Sequence, residues 1–327
     1  MNKVLIIIIT LLGILIFLNY KNNVIEPMQV MSDNMQKNVY NKYGIQVDKQ
    51  NNNLICKGKT VSSINNFNSK ESIKKSNCKI TTSQILSRKG YPVCNYVSWN
   101  QNLNNEENIH LINDKLKFPV VVKYSMGERG TDVYTDIIDN KTLLEAINNL
   151  KKQNKNSIII EEQVSGKKYR IMILNNRFVY ADEDVKPIII GDGVSSISQL
   201  IKQFPKQNNT KPISMINEDL VQQQGYKLNN VLENNKPLNV TNIISVSNGG
   251  KQKYIDETKI HPMNLNLFKN INNILGLNFS GIDYISDDLS IPYSIKGKII
   301  EVNPFPGFSV TEQKNDGIID RWVNALF

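Results

Sequence analysis

The hydrophobic pattern opens on an uninterrupted apolar run. Residues 4–18 read VLIIIITLLGILIFL and carry no charge. A bilayer span needs roughly 20 apolar residues, and Asn19 and Tyr20 extend the run into the interface, where tyrosine is favoured. A cleaved signal peptide is the rival reading. It wants small residues near the end of the run, and Phe17, Leu18, Asn19 and Tyr20 supply none. The pattern therefore predicts an uncleaved transmembrane anchor over residues 1–22, meeting the membrane through residues 4–20. Lys3 and Lys21 flank it evenly, so local charge does not orient it.

Beyond the anchor the periodicity changes repeatedly. Residues 21–53 are polar and Asn-rich and read as a tether with room for a short helix. From 54 to 77, short apolar pieces alternate with polar ones, which gives a small α/β segment. Residues 80–89 have helical spacing and stop at Gly90, and Tyr91-Pro92-Val93 starts an extended piece. FPVVVKY, at 118–124, is a buried type of strand. A glycine-bearing turn leads to a second strand over 132–138. Residues 141–152 read as a helix and 157–164 as a strand. Residues 169–174 and 177–182 read as a hairpin through Asn175-Asn176. After a Gly191-Asp192-Gly193 turn, residues 196–203 are helical. Residues 264–275 are helical up to Gly276, a residue suited to ending a helix. Strands over 279–285 and 298–302 and a helix over 318–326 close the chain. This order predicts an α+β chain with antiparallel strands rather than a βαβ series. No internal repeat appears.

Composition changes this picture little. Apolar residues make up 40% and charged residues 21% of the 327, which is ordinary for a globular protein. The net charge of +9 is spread along an Asn-, Lys- and Ile-rich chain, with no nucleic-acid motif beside it, so no nucleic-acid partner is expected. Cys56, Cys78 and Cys94 are odd in number and fit neither a zinc site nor a disulfide framework, which points to free thiols in a reducing compartment.

Four stretches carry chemistry. In FPVVVKYSMGERGTDV, Lys123 ends a buried strand beside a turn containing Gly127 and Gly130. Such a turn brings backbone N–H groups against phosphate oxygens while the lysine supplies fixed positive charge. In IIIEEQVSGKKYR, a strand ends in carboxylates and turns at Gly166, which can present main-chain groups and Glu161 to an adenine edge. In FSGIDYISDDLSIPYSIKGKIIEVNPFPGF, Asp283 lies on one strand and Glu301 and Asn303 lie two apart on the next, on one face. Two carboxylates and an amide oxygen form a hard donor set suited to Mg²⁺. In SNGGKQKYIDETKIHP, Gly249 and Gly250 allow a backbone approach to an anion. His261, before a proline, reads as structural rather than catalytic.

Together and in this order, these stretches resemble the ATP-grasp superfamily, and within it the ATP-grasp modules of cyanophycin synthetases and bifunctional glutathione-synthesising enzymes. The motifs are FPVVVK, EEQVSGKKYR, GDGVSSISQLI, SNGG…DET…HP and GID…EVNPFPG. The resemblance implies an α+β ATP-grasp domain over 79–327, in which two subdomains grip ATP, following a tether and small α/β segment over 23–78. It implies that Lys79 and Lys123 bind phosphate, that Gly127 and Gly130 belong to a mobile glycine-rich loop, and that Glu161 and Val164 form the adenine hinge. It implies a catalytic Arg170, and Asp283, Glu301 and Asn303 as ligands of Mg²⁺ or Mn²⁺.

Three positions depart from the family pattern. Asp132 stands where a further glycine is usual, and Lys168 stands where an acid usually meets the ribose. Both imply lowered ATP affinity or an altered nucleotide preference. Thr311 stands where cyanophycin-type modules often carry histidine, which implies a different substrate. The expected activity is ATP-dependent joining of an amino-acid or small-peptide carboxylate to an amine through an acyl-phosphate. The catalytic domain is expected to face the cytosol from a single-pass anchor, with a homo-oligomer left open. The alternative is a nucleotide-binding, membrane-tethered interaction protein with impaired catalysis.

Overall fold

The structure, a computed structural model, describes residues 33–327 apart from 52, 63–66, 128–131 and 307–316. The anchor expected over 1–22 lies outside the described residues, as do Gly130 and Thr311. Among the described residues no helix is long and apolar enough to cross a membrane.

The chain begins with α1 (Asp33–Tyr43), β1 (Gln46–Asp48), β2 (Asn53–Cys56) and β3 (Lys59–Ser62), followed by α2 (Lys70–Asn77) and α3 (Lys79–Arg88). Next come β4 (Tyr96–Ser98), α4 (Asn105–Lys115), β5 (Val120–Tyr124), β6 (Val133–Ile137), α5 (Asn140–Lys152) and β7 (Ile158–Glu162). The hairpin β8 (Lys167–Leu174) and β9 (Arg177–Val185) leads into β10 (Ile188–Ile190), α6 (Ile197–Asn208), α7 (Glu218–Gln223) and β11 (Pro237–Asn239). The chain ends with β12 (Lys251–Ile255), α8 (Pro262–Leu275), β13 (Phe279–Ser286), β14 (Lys298–Asn303) and α9 (Ile318–Leu326).

Two antiparallel sheets organise the molecule. One has four strands in the order β4-β7-β5-β6, the other five in the order β12-β9-β8-β13-β14. In the first, Val120, Val121, Val122 and Lys123 are all buried, as a continuous apolar run with both faces covered requires. Helix α5 starts on the Asp139 side chain, which accepts from Thr142 N at 2.8 Å. It buries Leu143, Ala146, Ile147 and Leu150, the one-face spacing of an amphipathic helix. In the second sheet, Asn175 and Asn176 both take left-handed dihedrals (φ 47° and 58°), which a two-residue hairpin turn demands. Helix α8 opens with Pro262 in its first turn and ends at Gly276 (φ 69°). Its Leu267, Phe268, Ile271 and Leu275 join a core with Ile171, Ile282 and Val302.

One end of the other face of the five-stranded sheet is covered by the C-terminal helix. There Trp322 and Ile318 of α9 pack on Met172, Leu174 and Phe279, together with residues from α1 and β2. The other end of that face carries charge: Arg170, Asp182 and Asp283. The chain crosses between the sheets twice. Pro92 O accepts from Ile299 N at 2.7 Å at the β14 edge before the chain enters β4. Residues 163–166 run back from β7 to β8. Between β9 and β12, β10, β11, α6 and α7 enclose a small separate core around Ile197, Leu200 and Phe204.

Candidate active site

Register places a row of charges across the five-stranded sheet. Asp182 of β9 pairs with Arg170 of β8, Arg170 with Asp283 of β13, and Asp283 with Glu301 of β14. Asn303 pairs with Gly281, two positions along. The strand repeat of two therefore puts Asp283, Glu301 and Asn303 on one face. Arg170 Nε forms an ion pair with Asp283 Oδ1. Lys168 Nζ lies 3.0 Å from Asp283 Oδ2 and 3.1 Å from Asp184 Oδ2. Asp283 is buried, with its side chain 5% exposed. Burial would push its carboxyl pKa up, but Arg170 and Lys168 outweigh this and hold it below the ordinary carboxylate range. Burial lowers the affinity of Lys168 for its proton, and Asp283 and Asp184 more than restore it.

Gly281 is what lets Arg170 lie across the sheet. A Cβ there would sit 2.7 Å from Pro306 Cβ and 3.0 Å from Arg170 Cδ. Gly281→Ala is expected to cost about 1–3 kcal/mol by overpacking and to displace Arg170. Urea unfolding measures the first effect and Kd for a non-hydrolysable ATP analogue measures the second.

The four-stranded sheet supplies the facing wall. In its register Lys123 lies opposite Ile159 and Val121 opposite Glu161, so Lys123 and Glu161 are diagonal neighbours on one face. They form a buried ion pair. Burial opposes the charge on Lys123, but Glu161 prevails and raises its pKa, with a further contribution from Glu301 across the cleft. Cys94 lies beside this pair, and burial, aided by Glu161, pushes its thiol up to about 12. It is protonated at neutral pH and is a poor nucleophile.

Lys79 joins the two walls. It is the first residue of α3, with its backbone N–H donating to Ser125 O at 3.0 Å. The Ile80 N–H donates to Ser125 Oγ at 3.2 Å, so Ser125 satisfies two of the donors a helix start leaves open. The Lys79 ammonium donates to Gly127 O at 2.5 Å and stands 3.3 Å from Glu301 Oε1. Lys79, Gly127 and Glu301 thus meet where the two sheets adjoin, with the Lys123–Glu161 pair on one sheet and Arg170, Asp283 and Asn303 on the other. Val164 lies half-buried on the connector between the sheets. Gly166 on the same connector has φ 143° and packs so closely that a Cβ would lie 2.9 Å from Ser286 O.

Several expected site residues have partners within the protein. The Glu161 carboxylate, expected beside adenine, forms an ion pair with Lys123. Asp283, expected as a ligand of Mg²⁺ or Mn²⁺, has both its oxygens facing cations. Asp132 takes φ 61°, the left-handed conformation that glycine would supply, and its carboxylate pairs with Lys155. Lys168 faces the acids of the sheet. His261 caps α8, its Nδ1 accepting from Met263 N at 3.2 Å, a structural role. Sequence reading missed one cross-cleft contact. Asp136 Oδ2 accepts from Asn242 Nδ2 at 2.7 Å, and Asp136 Oδ1 accepts from Gln163 Nε2 at 2.7 Å. No local pattern signals it.

A hard divalent cation fits this donor set. The Glu301 side chain is 33% exposed, and its carboxylate, like that of Asp283, already draws a lysine ammonium, so the place selects positive charge. Mg²⁺ takes one or two carboxylates and completes its shell with phosphate and water, and Glu301 and Asp283, with Asn303 on the same face, offer that kind of donor.

Two antiparallel sheets around a cleft lined by lysines and carboxylates define the class: the chain carries an ATP-grasp domain. A family model described as the D-ala D-ala ligase C-terminus matches residues 85–224. The cyanophycin synthetase of Trichormus variabilis is 30% identical over 260 residues, covering 76% of this chain and 28% of that protein. The glutathione biosynthesis bifunctional protein GshAB of Streptococcus mutans is 25% identical over 232 residues, covering 67% of this chain and 30% of that protein. The chain thus spans less than a third of the length of these curated relatives. The crystal structure of a bifunctional glutathione synthetase from Pasteurella multocida superposes with a TM-score of 0.50 at 19% identity, covering 80% of this chain and 38% of that one.

Proposed function

We propose that this chain is an ATP-dependent carboxylate–amine ligase that joins an amino-acid or small-peptide carboxylate to an amine. One observation carries the reading. The ammonium of Lys79 stands 3.3 Å from Glu301, on the face that also holds Asp283 and Asn303, with Lys123 on the opposite wall. Cationic and anionic groups thus face each other across a cleft of the kind that a metal–triphosphate occupies. In the proposed reaction, a substrate carboxylate oxygen attacks the γ-phosphorus and the bond to the bridging oxygen of ADP breaks. The amine then attacks the acyl-phosphate carbon, releasing phosphate and a proton and leaving an amide. Lys79 and Lys123 hold phosphate oxygens and offset the charge that gathers between two anions. Arg170, paired with Asp283, would act on the transferring phosphate and the substrate carboxylate. Glu301 and Asn303, with Asp283 behind them, would hold Mg²⁺ or Mn²⁺, which when bound neutralises charge on the β- and γ-phosphates. Positioning and electrostatics can carry phosphoryl transfer without a general base.

The neutralisation of Asp283 by Arg170 and Lys168 favours a second reading, a nucleotide-binding, membrane-tethered interaction protein that does not turn over. ADP release in a screen of amino-acid and peptide pairs, with products identified by mass, separates the two. Release coupled to a new amide supports the ligase. Tight ATP binding with no ADP from any pair refutes it.

The apolar run over 4–18 supports a single-pass anchor with the catalytic domain in the cytosol, where ATP is available. Protein lacking residues 1–22 is expected to be soluble without detergent and to bind ATP as the full chain does. Failure of the truncated chain to fold, read by circular dichroism, would place that segment in the core instead.

A further inference from the structure

We propose that Asn68 is a positioning residue for the cation-binding end of the site; the inference rests on the ligase reading above. Asn68 is buried, 5% exposed, and comes from the segment before α2, outside the stretch that the family model matches. Its side-chain amide makes four hydrogen bonds. The Oδ1 atom accepts from Asn278 N at 2.8 Å and from Phe279 N at 3.0 Å. The Nδ2 atom donates to Phe279 O at 2.7 Å and to Pro304 O at 2.7 Å. The partners lie more than 200 positions away in sequence, at Asn278 and Phe279 where β13 begins and at Pro304 immediately after β14.

The place of these bonds gives them meaning. The β13–β14 ladder ends at the Gly281–Asn303 pair. Two positions back on β13 is Phe279, the next residue whose N–H and C=O point to that side and would pair with residue 305 if β14 continued. The Asn68 amide takes both groups, as a peptide unit of a strand would. Residues 304–306 are therefore free to leave the sheet, and the Pro304 carbonyl is held as they do. Two further contacts fix the same turn. Asn303 Oδ1 accepts from Phe305 N at 2.8 Å, and the Pro306 ring rests on the bare Cα of Gly281. The side-chain direction of Asn303, and with it the spacing between Asn303 and Glu301, depends on where Pro304 is held. Asn68 thus acts on the cation site through Pro304 and touches neither substrate nor metal.

The test uses the full-length chain in detergent, with Mn²⁺ and a non-hydrolysable ATP analogue, bound Mn²⁺ being read by electron paramagnetic resonance. Asn68→Ala is expected to weaken Mn²⁺ binding about 10-fold or more, the scale of losing a group that orients a ligand. Analogue binding without metal is expected to stay within about twofold, because the lysines are untouched. Asn68→Gln keeps the amide's donors and acceptor but displaces them by one methylene. It is expected to weaken Mn²⁺ binding while leaving fewer buried backbone groups unpaired than Asn68→Ala, so it serves if the alanine variant does not fold. Variants that melt earlier yet bind Mn²⁺ as the parent does would overturn the proposal and leave Asn68 a structural residue only. A parent chain that binds neither Mn²⁺ nor the analogue would overturn the ligase reading itself.

Discussion

Glu301→Ala is expected to lower ADP formation about 10³-fold, close to abolition. The carboxylate lies directly across from Asp283, two positions from Asn303 and 3.3 Å from the Lys79 ammonium. Removing it deletes the most accessible donor of the proposed cation site and leaves Lys79 without its counter-charge. A metal ion on developing phosphate charge contributes several kcal/mol, and each ~1.4 kcal/mol is tenfold in rate. The fold should survive, because Glu301 is partly exposed and replaces no core atom. Melting curves and ADP release on the same preparation separate the two effects. Parent-like ADP formation would contradict the assignment of Glu301.

The largest stability effect is expected at Asp283. Asp283→Asn leaves the Arg170 and Lys168 cations side by side with their shared carboxylate gone. Breaking a buried ion network by removing one partner costs about 3–5 kcal/mol. At roughly 2–4 °C per kcal/mol for a chain of this size class, melting should fall by about 10 °C. Adding Lys168→Met to that variant should recover part of the loss, since one uncompensated cation disappears. No recovery would mean that the lysine is bound chiefly by Asp184. The carboxyl of Asp283 is held below its ordinary range in the fold. Its contribution is therefore fully present above the unfolded value of about 4 and is lost as pH falls through the lower folded value. The parent chain should lose stability more steeply below pH ~4 than Asp283→Asn does.

The departures at Asp132 and Lys168 read differently once side chains are placed. Asp132 itself takes the left-handed angle that glycine adopts readily, and its carboxylate pairs with Lys155. Lys168 supplies a second cation to Asp283. Any effect of it should appear in metal binding and electrostatics, where the Asn68 and Asp283 variants also read out.

Much was legible in the pattern because local rules operate over a few residues. The apolar run of β5, the Asn-Asn turn between β8 and β9, Gly276 after α8 and the closing helix over 318–326 all follow from burial period and turn chemistry. Helix α4 was also legible in principle. Its capping box of Asn104 and Glu107 stands in the sequence but was not recognised. The three short strands β1–β3 were not legible, since each has only three or four residues and only β2 buries side chains, Leu54 and Cys56, in the core with α9 and β8.

The candidate site divides the same way. The sequence by itself determined that Glu301 and Asn303 share a face, because the strand repeat is two, and that Lys123 ends a buried strand. Only the tertiary structure decided what those groups meet. The Asn175-Asn176 turn alone would pair Arg170 with Ala181 and Lys168 with Glu183. An irregularity between Met172 and Ile173 shifts the register by one, so that Arg170 meets Asp182 and Lys168 meets Asp184. A one-residue slip turns every side chain to the other face, and a bulge is set by packing on both sides of the sheet, not by the residues that form it. Likewise Asn68 reaches Pro304 only because the chain folds back across more than 200 residues, a closure that no local pattern encodes.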